Sequence, residues 1–317
     1  MSEFEELLKE MRDGQTLLPI SSLYGFSDLT RAEVQLFQEV WPLIDTGRRR
    51  WIIQSLVDIA EVSFEVNFNP IFRLCLSDED EVVRSQAIEG LWEDEELTLA
   101  GLLVRLLRDD PSESVRAAAA TSLGRFVLLG ELEKIQAAPA MMVEDALLGA
   151  IYDPHETLEV RRRAVESIAY SGQAQVRDII EMAYCDDEEK TSISAVFAMG
   201  RNADPLWREM VIAELDHPNP EMRYEAARAC GELEASAALS TLIYLIEADP
   251  DPEVQEMAIW ALGRIGGKEA RRVLEVCCES EDEALRQAAE EALDELDFLG
   301  GRLDLLLFES DDWTDEE

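Results

Sequence analysis

Apolar residues recur along most of this chain three and four positions apart, and one phrase carries that spacing again and again. Its best copy is Glu221-Met222-Arg223-Tyr224-Glu225-Ala226-Ala227-Arg228-Ala229-Cys230-Gly231. An apolar residue and an Arg come first. Ala stands three residues after the Arg, an apolar residue stands four after that Ala, and Gly often follows. Copies run from Val83-Arg84 through Ala87 to Leu91, from Val115-Arg116 through Ala119 to Leu123-Gly124, and from Val160-Arg161 through Ala164 to Ile168. Others run from Val254-Gln255 through Ala258 to Leu262-Gly263 and from Leu285-Arg286 through Ala289 to Leu293, with a worn copy at Ala195 and Met199-Gly200. This spacing places the apolar set on one face of an α-helix.

An acidic turn, often with Pro, precedes the phrase: Asp109-Asp110-Pro111, Asp153-Pro154, Asp216-His217-Pro218, Asp249-Pro250-Asp251-Pro252. Pro and Asp suit the stop of one helix and the N-terminus of the next. A second apolar-periodic stretch lies before the turn, for example Thr241-Leu242-Ile243-Tyr244-Leu245-Ile246. The predicted unit is helix, short turn, helix. From Ala to Ala the steps are 32, 45, 31, 31, 32 and 31 residues. A fixed period of this size marks an all-α solenoid whose units stack to share one core. The long step reads as one period plus an insertion near residues 130–140.

The stretch Asp249-Pro250-Asp251-Pro252-Glu253-Val254 through Ala258 to Leu262-Gly263 resembles the HEAT-like repeats named for the phycobilisome (PBS, bilin) lyases. Their pattern is D-P-D-x-x-V-R-x-x-A-x-x-A-L-G, and Gln255 stands here where the pattern has Arg. The resemblance implies a right-handed, armadillo-like α-solenoid of antiparallel helix pairs, roughly eight by this reading. It does not by itself imply lyase activity, because one fold serves many roles.

The expected organisation is an N-terminal helix and link over residues 1–29, a solenoid over 30–296, and a C-terminal cap with an acidic tail over 297–317. Glu3 to Arg12 reads as an amphipathic helix, and Leu17 to Ser27 as an irregular link. Thr30-Arg31-Ala32-Glu33 is a capping-box signature, and it opens a degenerate first repeat over 30–63. The tail joins Leu303-Asp304-Leu305-Leu306-Leu307-Phe308 to an acidic end that contains Trp313. It reads either as a cap that frays or as a segment that docks on another protein.

Charge narrows the function classes. Lys plus Arg number 28 against 69 Asp plus Glu, a formal net charge of −41. Such a surface repels nucleic-acid phosphates and anionic lipid headgroups, so neither nucleic acid nor membrane is an expected partner. No apolar run is long enough to span a bilayer. Cys75, Cys185, Cys230, Cys277 and Cys278 share no metal-ligand spacing. They read as reduced, mostly buried thiols of a cytoplasmic protein.

Catalytic chemistry finds little to use. The repeated arginines Arg84, Arg116, Arg161, Arg223 and Arg286 each follow an acidic turn. Recurring in nearly every unit, they read as a ladder of Arg–Asp pairs between adjacent turns. His155 and His217 are the only histidines, and both fall in turns. A di-iron site like that of the HEAT-like deoxyhypusine hydroxylases needs several His-Glu pairs, and His155-Glu156 is the one pair present. Neither a cofactor nor a metal is expected. There is no Gly-rich phosphate loop, and no reaction is assigned to any residue.

One constellation stands out. In each second helix the positions one, five and nine after the repeated Arg form a stripe opposite the buried side. In HEAT-like solenoids the second helices line the concave surface, so the resemblance implies that this stripe faces a groove. Its central sets hold Tyr170, Phe197, Tyr224 and Trp260 interleaved with Arg125, Arg162, Arg201, Arg228 and Arg264, while its ends are acidic. Tyr, Trp and Arg are the residue types enriched at binding hot spots. Two readings follow. Either the stripe binds a partner segment with apolar and acidic anchors, or Ile193, Phe197 and Trp260 pack on neighbouring helices while the arginines pair with nearby Glu. The expected function is a non-catalytic scaffold or adaptor that binds another protein or peptide segment. The alternative implied by the resemblance is a bilin lyase or lyase-like chromophore chaperone, with propionates on Arg201, Arg228 or Arg264.

Overall fold

In the computed structural model the described residues are 3–13, 18–63 and 65–311, with side chains from Phe4 to Phe298. Among them the chain is all-helical, and it divides into two compact units, residues 1–171 and 172–317. Unit 1 opens with α1 (Glu3–Arg12), α2 (Ile20–Leu23), α3 (Arg31–Val40) and α4 (Thr46–Val62). Three helix pairs follow: α5 (Asn69–Cys75) with α6 (Glu81–Gly90), α7 (Leu97–Asp109) with α8 (Glu113–Glu131), and α9 (Ala137–Tyr152) with α10 (Leu158–Ile168). Unit 2 holds four: α11 (Ala174–Tyr184) with α12 (Glu189–Asn202), α13 (Arg208–Ala213) with α14 (Pro220–Glu232), α15 (Leu239–Ala248) with α16 (Pro252–Ile265), and α17 (Gly267–Cys277) with α18 (Glu283–Asp311).

Within each unit the second helices stack on one another. In unit 1, α4 meets α6, α6 meets α8 and α8 meets α10; in unit 2, α12 meets α14, α14 meets α16 and α16 meets α18. The repeated phrase explains this. Ala87, Ala119, Ala164, Ala195, Ala226, Ala258 and Ala289 are all fully buried. The apolar residues at the two ends of the phrase, such as Val83 and Leu91 or Val254 and Leu262, are buried with them. A methyl side chain at the centre lets two helices come close. The Gly that closes the phrase marks where the approach is tightest. A Cβ at Gly263 would stand 3.0 Å from the backbone oxygen of Ala292, and one at Gly231 would stand 3.0 Å from the Cα of Ala261.

The turns are held by the repeated Arg. Arg84 donates to both carboxylate oxygens of Asp110 at 2.8 Å. Arg223 does the same to Asp249, at 2.7 and 2.8 Å, and Arg116 does so to Glu156. Each therefore crosses to the turn of the next pair. Each also donates to the carbonyl six residues upstream: Arg84 to Asp78, Arg116 to Asp110, Arg223 to His217 and Arg286 to Ser280. Gln255 keeps this second role without a charge, donating to the Asp249 carbonyl at 2.9 Å. The ladder begins upstream of the clear repeats, where Arg50 of α4 forks onto Asp80 and Trp41 donates to Asp78.

Several boundaries differ from the sequence expectation. The link at 17–27 contains α2 and a 3-10 turn, Tyr24–Phe26, because Leu23 and Phe26 are completely buried. The residues read as an insertion near 130–140 form the end of α8, a five-residue turn and the start of α9, so both helices are long, at 19 and 16 residues. The boundary placed at 297 falls inside α18, which continues to Asp311; Trp313 lies outside the described residues. The capping box is present as read, with Thr30 Oγ1 accepting from the Glu33 N–H and Glu33 accepting from the Thr30 N–H. Only Cys75 and Cys230 of the five free thiols are buried; Cys185 is exposed, and Cys277 and Cys278 are intermediate. Burial pushes the Cys230 thiol up to about 12, so it is a core residue. Among the described residues no helix is long and apolar enough to cross a membrane.

Candidate functional site

Close packing along the phrase leaves the flanking positions of adjacent second helices to form grooves, and two of them, one in each unit, are lined by described residues. The first groove lies across α6, α8 and α10 and encloses about 590 Å³. Its floor is made of small residues of α8, Ala117, Ala118 and Thr121. Ile88 and Trp92 wall one side, and Glu159 and Arg163 the other. Trp92 is 48% exposed. Arg125 stands at the edge of this groove. It donates to the Leu91 carbonyl at 2.7 Å and to the Trp92 carbonyl, so it caps the C-terminus of α6. Burial holds its pKa below the usual guanidinium range, against the pull of Asp94 and Glu95. Glu89 lines the same groove, and burial, with repulsion from Glu61, holds its carboxyl above the usual range.

The second groove lies across α14, α16 and α18 and encloses about 680 Å³. Tyr224, Met257 and Trp260 give it an aromatic and thioether wall, with Ala288 and Ala292 opposite. Its charged groups are Glu253, Glu256, Glu291 and Glu295. Burial raises the Tyr224 pKa and Glu225 adds to it, followed by Glu253 and Glu256 against Arg228. This groove is acidic and aromatic, whereas the first is apolar.

None of the nine stripe residues is exposed, and Arg162 and Arg228 are buried, at 6% and 8%. They do not converge on one place. Arg125 lines the first groove, and Tyr224 and Trp260 line the second. Phe197, Arg201 and Arg228 form a third cluster between α12 and α14, where the Phe197 ring lies under Arg228 at 3.8 Å and Arg201 at 5.3 Å. Arg162 and Tyr170 line neither groove. Four of the five stripe arginines are bound to carboxylates of the chain itself, and Arg125 is bound to backbone carbonyls. Arg162 pairs with Glu159 at 2.9 Å, Arg201 with Glu232 at 3.1 Å, Arg228 with Glu225 and Glu232, and Arg264 with Glu295 at 2.8 Å. The physical reasons are the short distance between second helices and the three- and four-residue spacing within them. Arg201 and Arg264 reach across to Glu232 and Glu295 of the next helix, while Arg162 and Arg228 pair one turn along their own helices.

Sequence reasoning missed Trp92 and Met257. Trp92 sits one residue beyond the end of the phrase, and its signal was a large aromatic residue placed past the buried set. The histidines stay in turns: His155 is exposed, and His217 accepts the Asn219 N–H through Nδ1. Glu156 is held by Arg116, and among the described residues no three His, Cys, Asp or Glu gather as a metal site.

The family described as HEAT repeats matches residues 69–148 and 208–294, more than half of the 317 residues. This chain belongs to the HEAT-repeat family. No curated protein matches this HEAT-repeat protein in sequence. Among solved structures it is similar to human deoxyhypusine hydroxylase in complex with glycerol, with 16% identity and a TM-score of 0.36 over 93% of this chain and 96% of that one. It is also similar to importin beta, with 13% identity and a TM-score of 0.45 over 92% of this chain and 41% of that one. A designed armadillo repeat protein shares 23% identity, with a TM-score of 0.37 over 63% of this chain and all of that one. These are likenesses of fold alone.

Proposed function

We propose that this HEAT-repeat protein is a non-catalytic scaffold or adaptor that binds another protein, or a segment of one, along the face of its second helices, which we take as the concave face. The observation that carries this reading is an open groove on the second helices of each unit, each with a partly exposed aromatic residue in its wall. Large aromatic residues beside a pocket are the usual anchors of protein interfaces. A net charge of −41 steers basic proteins toward the chain and nucleic acid away from it.

Affinity capture from the native host tests the proposal, with wild-type protein beside Trp92→Ala and Trp260→Ala variants. A partner held by wild type and lost from a variant with an unchanged melting temperature supports it. Capture that survives both substitutions contradicts it.

The alternative, a bilin lyase or lyase-like chaperone, assigns tetrapyrrole propionates to Arg201, Arg228 or Arg264. Each of these already holds a glutamate of the chain, so no specific feature favours it. A visible band shift on mixing with a bilin, followed by chromophore transfer to an acceptor, would restore that reading.

A further inference from the structure

Four second-helix positions in unit 2 are equivalent by register. Phe197, Arg228, Trp260 and Glu291 each stand two residues after the buried Ala of their phrase, on α12, α14, α16 and α18. At the first step an aromatic ring meets a cation from the next helix, with Arg228 at 3.8 Å over Phe197. At the matching step from α16 to α18 the aromatic ring is Trp260, and its counterpart on the next helix is a carboxylate, Glu291. The space there is the second groove, about 680 Å³ in volume.

The indole of Trp260 is held in place by the helix before it. A Cβ at Gly231 would stand 2.7 Å from the Trp260 ring, so the ring rests directly on that glycine. The same ring lines the groove. The nearest cation of its own helix, Arg264, lies 6.0 Å from the ring, at the limit of the favourable range, and is bound to Glu295. Glu253, Glu256 and Glu291 line the groove and make no ion pair among the described residues.

We propose that the second groove seats a Lys or Arg side chain from a basic segment of a partner protein. The incoming cation lies against Trp260 between Glu256 and Glu291, and it repeats with a partner's charge the arrangement that Arg228 makes over Phe197. The groove supplies an aromatic face, carboxylates beside it, and apolar walls at Met257, Ala288 and Ala292 for the aliphatic stem. The proposal rests on the scaffold reading for the claim that this face meets a partner, and it names the chemistry of that partner.

The test uses the full chain and the fluorescence anisotropy of a short labelled peptide alternating Lys and Ala. The same peptide with Glu in place of Lys serves as comparison. The Lys peptide binds, the Glu peptide does not, and added salt weakens the binding. Glu256→Gln combined with Glu291→Gln weakens it about tenfold. Asp178→Asn combined with Asp187→Asn removes the same charge from exposed positions of unit 2 and leaves the affinity unchanged. Trp260→Leu weakens binding with every carboxylate kept. If that variant does not fold, the glutamine pair decides, since neither glutamate is in the core.

Absence of Lys-peptide binding, an equal loss in the two double variants, or no loss in the glutamine pair overturns the seat. A protein captured by wild type that stays bound to the glutamine pair and dissociates from Trp92→Ala also overturns it, and leaves the scaffold reading standing. A Lys peptide that binds through Glu256 and Glu291 while capture yields no partner keeps the seat and removes the scaffold.

Discussion

The two grooves are built on the same phrase and have opposite chemistry. In both units a fully buried Ala sits at the centre of each second helix, and an Arg forks onto a carboxylate of the next turn, Arg84 onto Asp110 and Arg223 onto Asp249. The flanking positions differ. Unit 1 places Ala117 and Thr121 where unit 2 places Glu256 and Trp260. The first groove is consequently apolar with small residues at its floor, and the second is aromatic with a carboxylate rim. A repeat protein of this kind divides its positions into those that fix the stack and those that are free to carry recognition.

If that division holds, damage to the frame costs the same in either unit. Arg84→Ala and Arg223→Ala each leave a nearly buried carboxylate without its cation. Each should destabilise by about 3–5 kcal/mol in urea unfolding, whichever groove lies nearby. A large cost in one unit and a negligible cost in the other would break the equivalence. Three pairs of the same ladder set the acid limit. Arg50 holds the Asp80 carboxyl below its usual range. Burial raises the Glu156 and Asp249 pKa values, but Arg116 and Arg223, with backbone N–H donors, outweigh it and hold both below the usual range. A lowered folded pKa contributes stability that is complete above the unfolded value, about 4 for these groups, and is lost as pH falls through the folded value. Arg223→Gln should therefore flatten the decline in stability below about pH 4 in acid titrations followed by circular dichroism. An unchanged acid limb would separate the ladder from the acid response.

Gly263→Ala probes the tight approach itself. Its new Cβ would meet the Ala292 Cβ at 2.9 Å and the Ala292 backbone oxygen at 3.0 Å, and a loss of about 1–3 kcal/mol is expected. Gly101→Ala, on a first helix with nothing within 4 Å of the new Cβ, should not destabilise. Differential scanning of the two proteins sharpens the contrast between stacked and unstacked faces. The smallest loss belongs to Gln255→Ala. It removes one uncharged bond to the Asp249 carbonyl, so unfolding measurements should show a loss of about 1 kcal/mol.

The frame was legible because it obeys one period. The spacing of the phrase located the buried alanines, the Asp- and Pro-containing turns located the starts of α8, α10, α14 and α16, and the recurring Arg announced a ladder. Its exact partners were less legible. Arg116 binds Glu156, where the preceding Asp153 suggested itself, because the bond is made across a turn and no local spacing encodes it. The stripe was legible as a set of residues, while its surroundings were not. Helical periodicity says that Arg201, Arg228 and Arg264 leave the buried side. It places Glu225 beside Arg228 on the same helix, but it does not say that Glu232 and Glu295 come within reach of Arg201 and Arg264 from the next helix. Trp92 escaped because it follows the phrase and belongs to no repeating position.

The most direct measurement places a photo-crosslinking residue at single positions and maps where a captured partner attaches. Positions 92 and 260 report on the two grooves, and positions 141 and 244 report on the exposed side chains Met141 and Tyr244 of first helices α9 and α15. The account predicts adducts from 92 or 260 and none from 141 or 244. Adducts confined to 141 and 244 would contradict it and move recognition to the first helices.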